Sequence, residues 1–171
     1  MDFTLMQDAR ILYGEGRTGE VGALLRQLGV QKALVVCDEG VKRAGIADQV
    51  TASLQTAGVE FAVFDRVQAD PPSALVDEGA AFCRRGGYGA VVAVGGGSSI
   101  DTAKGINLLR CNEGGIMEYA DPARPMNRAE NLVVIPTTSG TGSELSDGLV
   151  ITSPEHVKCP ILAVNAMANY I

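Results

Sequence analysis

The chain has 171 residues, 46% of them hydrophobic, which suits one core of ordinary size. A formal charge of −6 leaves no basic field for a phosphate backbone, and this excludes nucleic acid as a partner class. The opening Met1-Asp2-Phe3-Thr4 lacks the basic start and apolar run of a signal peptide, and no apolar stretch approaches the roughly 18 residues of a membrane span, so a cytoplasmic location away from membranes is expected.

In chain order, the first feature is Gly14-Glu15-Gly16-Arg17-Thr18-Gly19, which fits G-x-G-x-x-G, with Asp38 standing 19 residues beyond its last glycine. On spacing alone this is a dinucleotide fingerprint. The segment before it carries Arg10 and makes a poor central strand, so a glycine-rich turn joining an edge strand to a helix is the preferred reading. Helical spacing follows over residues 20–28, and the apolar, β-branched run 33–37 reads as a buried strand. The alternation continues with a helix over 44–57, a strand over 61–64, a helix over 73–84, a strand over 90–94, a helix over 98–110 and a strand over 132–135. This pattern predicts a single α/β domain over residues 1–171: a Rossmann-like, mostly parallel sheet flanked by helices, with its ligand beyond the carboxyl ends of the strands.

Residues 112–130 are polar, contain proline and read as a long surface loop. Beyond Glu144, runs 148–152 and 159–165 flank the turn signal Ser153-Pro154-Glu155 and predict an antiparallel hairpin at the sheet's edge. Residues 163–171 stay apolar without a cap or polar tail, which reads as truncation of a longer protein. The cysteines Cys37, Cys83, Cys111 and Cys159 are scattered, form no C-x-x-C pair, and are expected to be reduced and structural.

Two loops carry the chemistry. Gly95-Gly96-Gly97-Ser98-Ser99-Ile100-Asp101 leaves a fully apolar strand and opens a helix. Glycines let an anion touch backbone N–H groups, and the helix N-terminus adds oriented donors and partial positive charge. Ser98 with Asp101 also resembles a capping box, with Asp in place of Glu or Gln, so helix capping is the competing role for that pair. The second loop, Pro136-Thr137-Thr138-Ser139-Gly140-Thr141-Gly142-Ser143-Glu144, leaves strand 132–135 at the same edge and supplies closely spaced hydroxyls around a tight, glycine-bearing backbone.

In that order, GGGS-x-x-D and PTT-x-GTGSE resemble the N-terminal domain of the iron-containing (group III) alcohol dehydrogenases, over residues 11–158. The resemblance implies a dehydroquinate synthase-like N-terminal fold and an enzyme that moves hydride between NAD(H) and a small alcohol or aldehyde. It also implies that Gly96, Gly97 and Ser98 hold the cofactor pyrophosphate, that Asp101 lies toward the nicotinamide end, and that Thr137, Thr138, Thr141 and Ser143 line the adenine and phosphate side. Asp38 falls where the family has a ribose-binding acid; a carboxylate there accepts from a 2′-hydroxyl and repels a 2′-phosphate, favouring NAD over NADP, whereas the alternative is a solvated turn acid. Lys158 matches a family lysine that reaches the cofactor.

Two departures stand out: Asp70-Pro71 where many members have Asn-Pro, and Gly148 where a larger residue is common. The family's divalent metal, Fe2+ or another, is drawn from a helical C-terminal domain that this chain lacks, and His156, alone in a turn, is expected to be non-functional. A homodimer is compatible with the apolar hairpin. Alternative readings are a glycerol dehydrogenase or dehydroquinate synthase-like domain, disfavoured by the GTGSE segment, and a non-catalytic nucleotide-binding module. A serine hydrolase lacks support, because no G-x-S-x-G elbow is present.

Overall fold

A computed structural model describes residues 9–171; the Met1-Asp2-Phe3-Thr4 segment lies outside them. Four strands, β1 (Lys32–Asp38), β2 (Glu60–Val67), β3 (Ala90–Gly95) and β4 (Leu132–Pro136), form one parallel sheet in the order β2-β1-β3-β4. The two central strands are apolar without alternation because both of their faces are covered. Their pleat nevertheless sorts the side chains: Leu34, Val36, Val91 and Ala93 enter one core, and Ala33, Val35, Val92 and Val94 enter the other.

Five helices cover the sheet: α1 (Val21–Gln27), α2 (Glu39–Arg43), α3 (Ile46–Thr56), α4 (Ser73–Gly86) and α5 (Gly97–Arg110). The chain steps outward from β1 to β2, returns past β1, and steps the other way from β3 to β4. The reversal moves the helices across the sheet, so α1 and α3 bury Leu25, Val50 and Leu54 on one face while α4 and α5 bury Val76, Ala80, Ile100 and Ile106 on the other. The helix expected over 44–57 is α3, and Gly45, at a φ of 73°, separates it from the short α2 that the sequence pattern did not predict.

The hairpin forms from β5 (Gly148–Thr152) and β6 (Lys158–Leu162), with Val150 opposite Pro160. It does not extend the sheet's edge as expected. It is a separate two-stranded sheet whose Leu149, Ile151 and Ile161 pack into the core around α5. The edge beside β4 is taken instead by the last residues, where Val134 N donates to Tyr170 O (2.8 Å) and Leu12 N to Ile171 O (2.8 Å). The physical reason is that one face of the hairpin, with Leu149, Ile151 and Ile161, is buried by stacking on a helix, whereas β4 needs backbone partners.

Residues 112–130 are a surface loop only in part. A 3-10 turn, Ile116–Ala120, buries Ile116 and Tyr119 completely or nearly so, and Asp77 Oδ1 accepts from Ile116 N at 2.8 Å. All four cysteines are free, and burial pushes the Cys37 and Cys83 thiols up to about 11, which leaves them unreactive. No helix among the described residues is long and apolar enough to cross a membrane.

Ile116 therefore behaves as a core residue. Ile116→Ala is expected to cost about 2–5 kcal/mol in a urea titration, against roughly 0.5 kcal/mol or less if the segment lay on the surface.

Candidate cofactor site

Because β1 and β3 are neighbours whose following connections diverge, a crevice opens at their carboxyl ends, the place where open parallel sheets take ligands. Asp38 ends β1 and Gly95 ends β3, while Gly95 pairs with Pro136 and its carbonyl accepts from Thr137 N at 3.0 Å. Three sequence-predicted segments thus meet at one edge.

The glycines are required by space. Gly95 has a φ of 150°, and a Cβ there would lie 2.4 Å from Ser99 Oγ; at Gly96 a Cβ would lie 2.8 Å from Thr138 Oγ1. At Gly97 the nearest atoms would be Ser143 Oγ at 3.3 Å and Thr141 Cβ at 3.7 Å. The two loops are therefore in contact, with Thr138, Thr141 and Ser143 over the start of α5. Gly96 is the N-cap of that 14-residue helix and offers no side-chain acceptor. The first-turn N–H groups of Gly97, Ser98 and Ser99 consequently lack helical partners and point at the crevice end of the helix.

Asp38 Oδ1 accepts from Val41 N at 2.9 Å and so caps α2. Its other oxygen faces Gly95, 3.7 Å from where a Cβ would be. Asp38 is half-buried, and the arrangement leaves one oxygen for structure and one for the crevice.

The Ser98–Asp101 capping box is not made. Asp101 turns instead toward β5, where Oδ2 accepts from Val150 N at 3.0 Å, because a helix buried under the hairpin has a strand N–H closer to hand than its own N-cap. Asp101 is only 8% exposed, and its Oδ1 is buried with no hydrogen-bond partner. Asp101 is one of the residues lining a concavity of about 370 Å³, together with Thr141, Ser143, Ser146, Gly148 and Val150. Burial raises the Asp101 pKa, opposed by the Val150 N–H, Lys104 and Ser143.

Lys158 is not brought to the two loops by any contact. It forms an exposed ion pair with Asp70 (2.7 Å), in a β2–α4 connection whose Asp70 carbonyl accepts from Thr152 Oγ1 at 3.0 Å. Such a pair contributes about 1 kcal/mol at most. Asp70 and Lys158, both singled out in the sequence, therefore meet each other. The Gly14–Gly19 motif is the glycine-rich turn: among the described residues no named strand precedes it, residues Arg17–Glu20 form a 3-10 turn, and the Gly19 carbonyl accepts from Ser53 Oγ at 2.6 Å. The apolar cleft beside it, about 580 Å³ and lined by Ile11, Leu12, Leu24, Val133 and Ile135, is larger but offers no long helix N-terminus.

Lys104 and Ser146 went unnoticed in the sequence, and Glu144 was noted only as part of its loop. Lys104 is 1% exposed, Glu144 Oε2 accepts from Thr141 Oγ1 at 3.1 Å, and Ser146 contacts Lys104. The available signal for Lys104 was a lone charge inside an otherwise uncharged stretch of α5. Among the described residues no three His, Cys, Asp or Glu side chains cluster as a metal site needs, and His156 sits exposed in its turn at a φ of 60°.

A parallel sheet with a glycine-opened helix at its strand-order reversal defines a doubly wound α/β protein. Residues 8–171 match the family described as iron-containing alcohol dehydrogenase, and the chain belongs to that family. It is 45% identical over 148 residues to a choline dehydrogenase of Bacillus subtilis, covering 85% of this chain and 37% of the relative. With an NAD-dependent methanol dehydrogenase of Bacillus methanolicus it shares 39% identity over 150 residues, covering 87% of this chain and 39% of the relative. The solved sulfoacetaldehyde reductase of Bifidobacterium kashiwanohense, in complex with NAD+, superposes with a TM-score of 0.90 at 26% identity, covering 99% of this chain and 45% of that one. The chain thus spans less than half the length of these relatives.

The raised pKa of Asp101 has a definite sign. Its burial cost is absent below the ordinary carboxylate value of 3.8 and grows as pH rises through the raised value, so the carboxylate makes the fold less stable at neutral pH than in acid. Asp101→Asn removes this titration. The difference in unfolding free energy, variant minus wild type, is expected to increase from pH 4 to pH 7 in paired urea titrations.

Proposed function

We propose that this chain is the cofactor-holding part of an oxidoreductase that moves hydride between NAD(H) and a small alcohol or aldehyde. The observation that carries the reading is the start of α5: three glycines, unpaired first-turn N–H groups and two contacting hydroxyl loops at the β1/β3 reversal. The cradle fits a dinucleotide, because bare backbone at Gly96 and Gly97 admits phosphate oxygens that a side chain would exclude. In this reading Gly97, Ser98 and Ser99 donate N–H groups to the diphosphate, while Thr137, Thr138, Thr141 and Ser143 supply hydroxyls around it.

Asp38 accepts from a ribose 2′-hydroxyl with the oxygen not used by Val41, which supports NAD over NADP. Asp101, whose Oδ1 is buried without a partner, would lie toward the nicotinamide end and help to orient it. Lys158, exposed and paired with Asp70, would have to leave that pair to reach the cofactor. When bound, the nicotinamide supplies the hydride donor and acceptor chemistry.

The residues of this chain position; they do not transfer protons. No acid–base pair faces the crevice among the described residues, and they do not fit a divalent metal, which in this reading is held by sequence outside this chain. The chain alone therefore turns nothing over. Its four free cysteines fit a reducing compartment such as the cytoplasm. Exposed Val150, Leu162 and Val164 on the hairpin side favour coverage by further polypeptide of the same protein or by a second copy.

Titration of the chain with NADH, followed by nicotinamide fluorescence, tests the reading. Gly97→Asp is expected to weaken binding by at least about tenfold through charge repulsion and a filled cradle, and Gly16→Asp to leave it unchanged. The opposite outcome would move the site to the Gly14–Gly19 turn. Asp38→Asn, which keeps the α2 cap, should narrow the preference for NAD over NADP, measured as the ratio of the two dissociation constants.

A further inference from the structure

Lys104 is the largest fully buried side chain in the described core, on the same helix as Asp101 and one turn further along. A buried ammonium is costly unless every proton finds an acceptor. Here Nζ donates to Ser146 O at 2.7 Å, Gly148 O at 2.8 Å and Ser146 Oγ at 3.1 Å. Three donors meet three acceptors, and all three belong to one short segment more than forty residues away in sequence. That segment joins the loop bearing Thr141 and Ser143 to β5, whose Val150 N–H is held by Asp101.

The loop has few other restraints. Thr141 is exposed, Gly140 and Gly142 have φ values of 86° and 69°, and the segment's other ties to the fold are Ala163 N donating to Asp147 O at 2.7 Å, the pairing of Gly148 with Leu162 and the Ser143 hydroxyl on the Asp101 carboxylate. Resting on the cofactor reading above, we infer that Lys104 is a positioning residue: its three hydrogen bonds fix the 143–148 segment against α5 and hold Thr141 and Ser143 over Gly97 before the dinucleotide arrives. Order established in advance is order the ligand does not have to impose, so the clamp acts on affinity. The lysine itself touches no part of the cradle.

Acidic groups face Lys104 from each neighbouring segment: Asp101 on α5, and Glu144 and Asp147 in the connection to β5. Burial lowers its pKa from the usual lysine value, and those three acids oppose the shift. The ammonium is therefore lost at a lower pH than in an ordinary lysine, and one of the three bonds goes with it.

The test compares wild type, Lys104→Met and Ser146→Ala by amide hydrogen exchange and by NADH fluorescence titration. In Lys104→Met, amides of 143–148 should exchange at least about tenfold faster while those of β1 and β3 do not change, and the NADH dissociation constant should rise by about tenfold. Ser146→Ala, which keeps the lysine and removes one acceptor, should give the same pattern at about threefold and decides the matter if the first variant does not fold. Wild-type affinity should weaken as alkaline pH removes the Lys104 proton, and the Lys104→Met profile should be flat over that range. Unchanged exchange in 143–148, or unchanged affinity in a folded variant, overturns the clamp alone. A wild-type chain that binds no NADH overturns the cofactor reading and this inference with it.

Discussion

The parallel pairing of β1 with β3 is the constraint from which the site follows. Two adjacent strands that end side by side, with connections departing to opposite faces, leave their carboxyl ends uncovered. Asp38 and Gly95 become neighbours only through this pairing, although they lie far apart in sequence. The β3–β4 pairing then adds the hydroxyl loop to the same corner by setting Gly95 against Pro136. Steric exclusion does the remaining work, because the loops approach so closely at Gly96 that any side chain would displace Thr138.

Helix α5 is the second organising element. Its core-facing residues Ile100, Ala103, Ile106 and Leu109 fill the space beside the sheet, while polar residues spaced three apart reach neighbouring segments. Asp101 takes Val150, Lys104 takes the 146–148 backbone, and Asn107 donates to Glu130 O. A helix buried beneath a hairpin cannot leave such groups in water, so each one finds a backbone group, and those bonds determine where the connecting segments run. The exception is Asp101 Oδ1, which is buried without a hydrogen-bond partner.

Local pattern was a good guide where burial on both faces leaves a continuous apolar run, as in β1, β3 and β4, and where glycine fixes the entry to a helix, as at Gly95 to Gly97. It was a poor guide where a side chain's partner is remote. Asp101 stands three residues after Ser98 and invites a local cap, yet a strand N–H from β5 is its actual partner. Residues 112–130 look polar as a group, but Ile116 and Tyr119 reach the core because Asp77 on α4 receives the Ile116 amide. Glu144 and Lys104 gain their meaning only from Thr141 and Ser146 across the fold.

The sequence by itself determined the alternation of strands and helices, the parallel sheet, the two loops at its carboxyl edge and the likeness to the iron-containing alcohol dehydrogenases. These are properties of short windows, in which apolar periodicity and glycine placement act within a few residues. Only the tertiary structure decided that the hairpin stacks on α5 instead of joining the sheet, that Asp38 divides its oxygens between a cap and the crevice, and that Lys104 grips a loop it never meets in sequence. Each of those outcomes depends on burial and on hydrogen-bond acceptors supplied by distant chain, which no local pattern encodes.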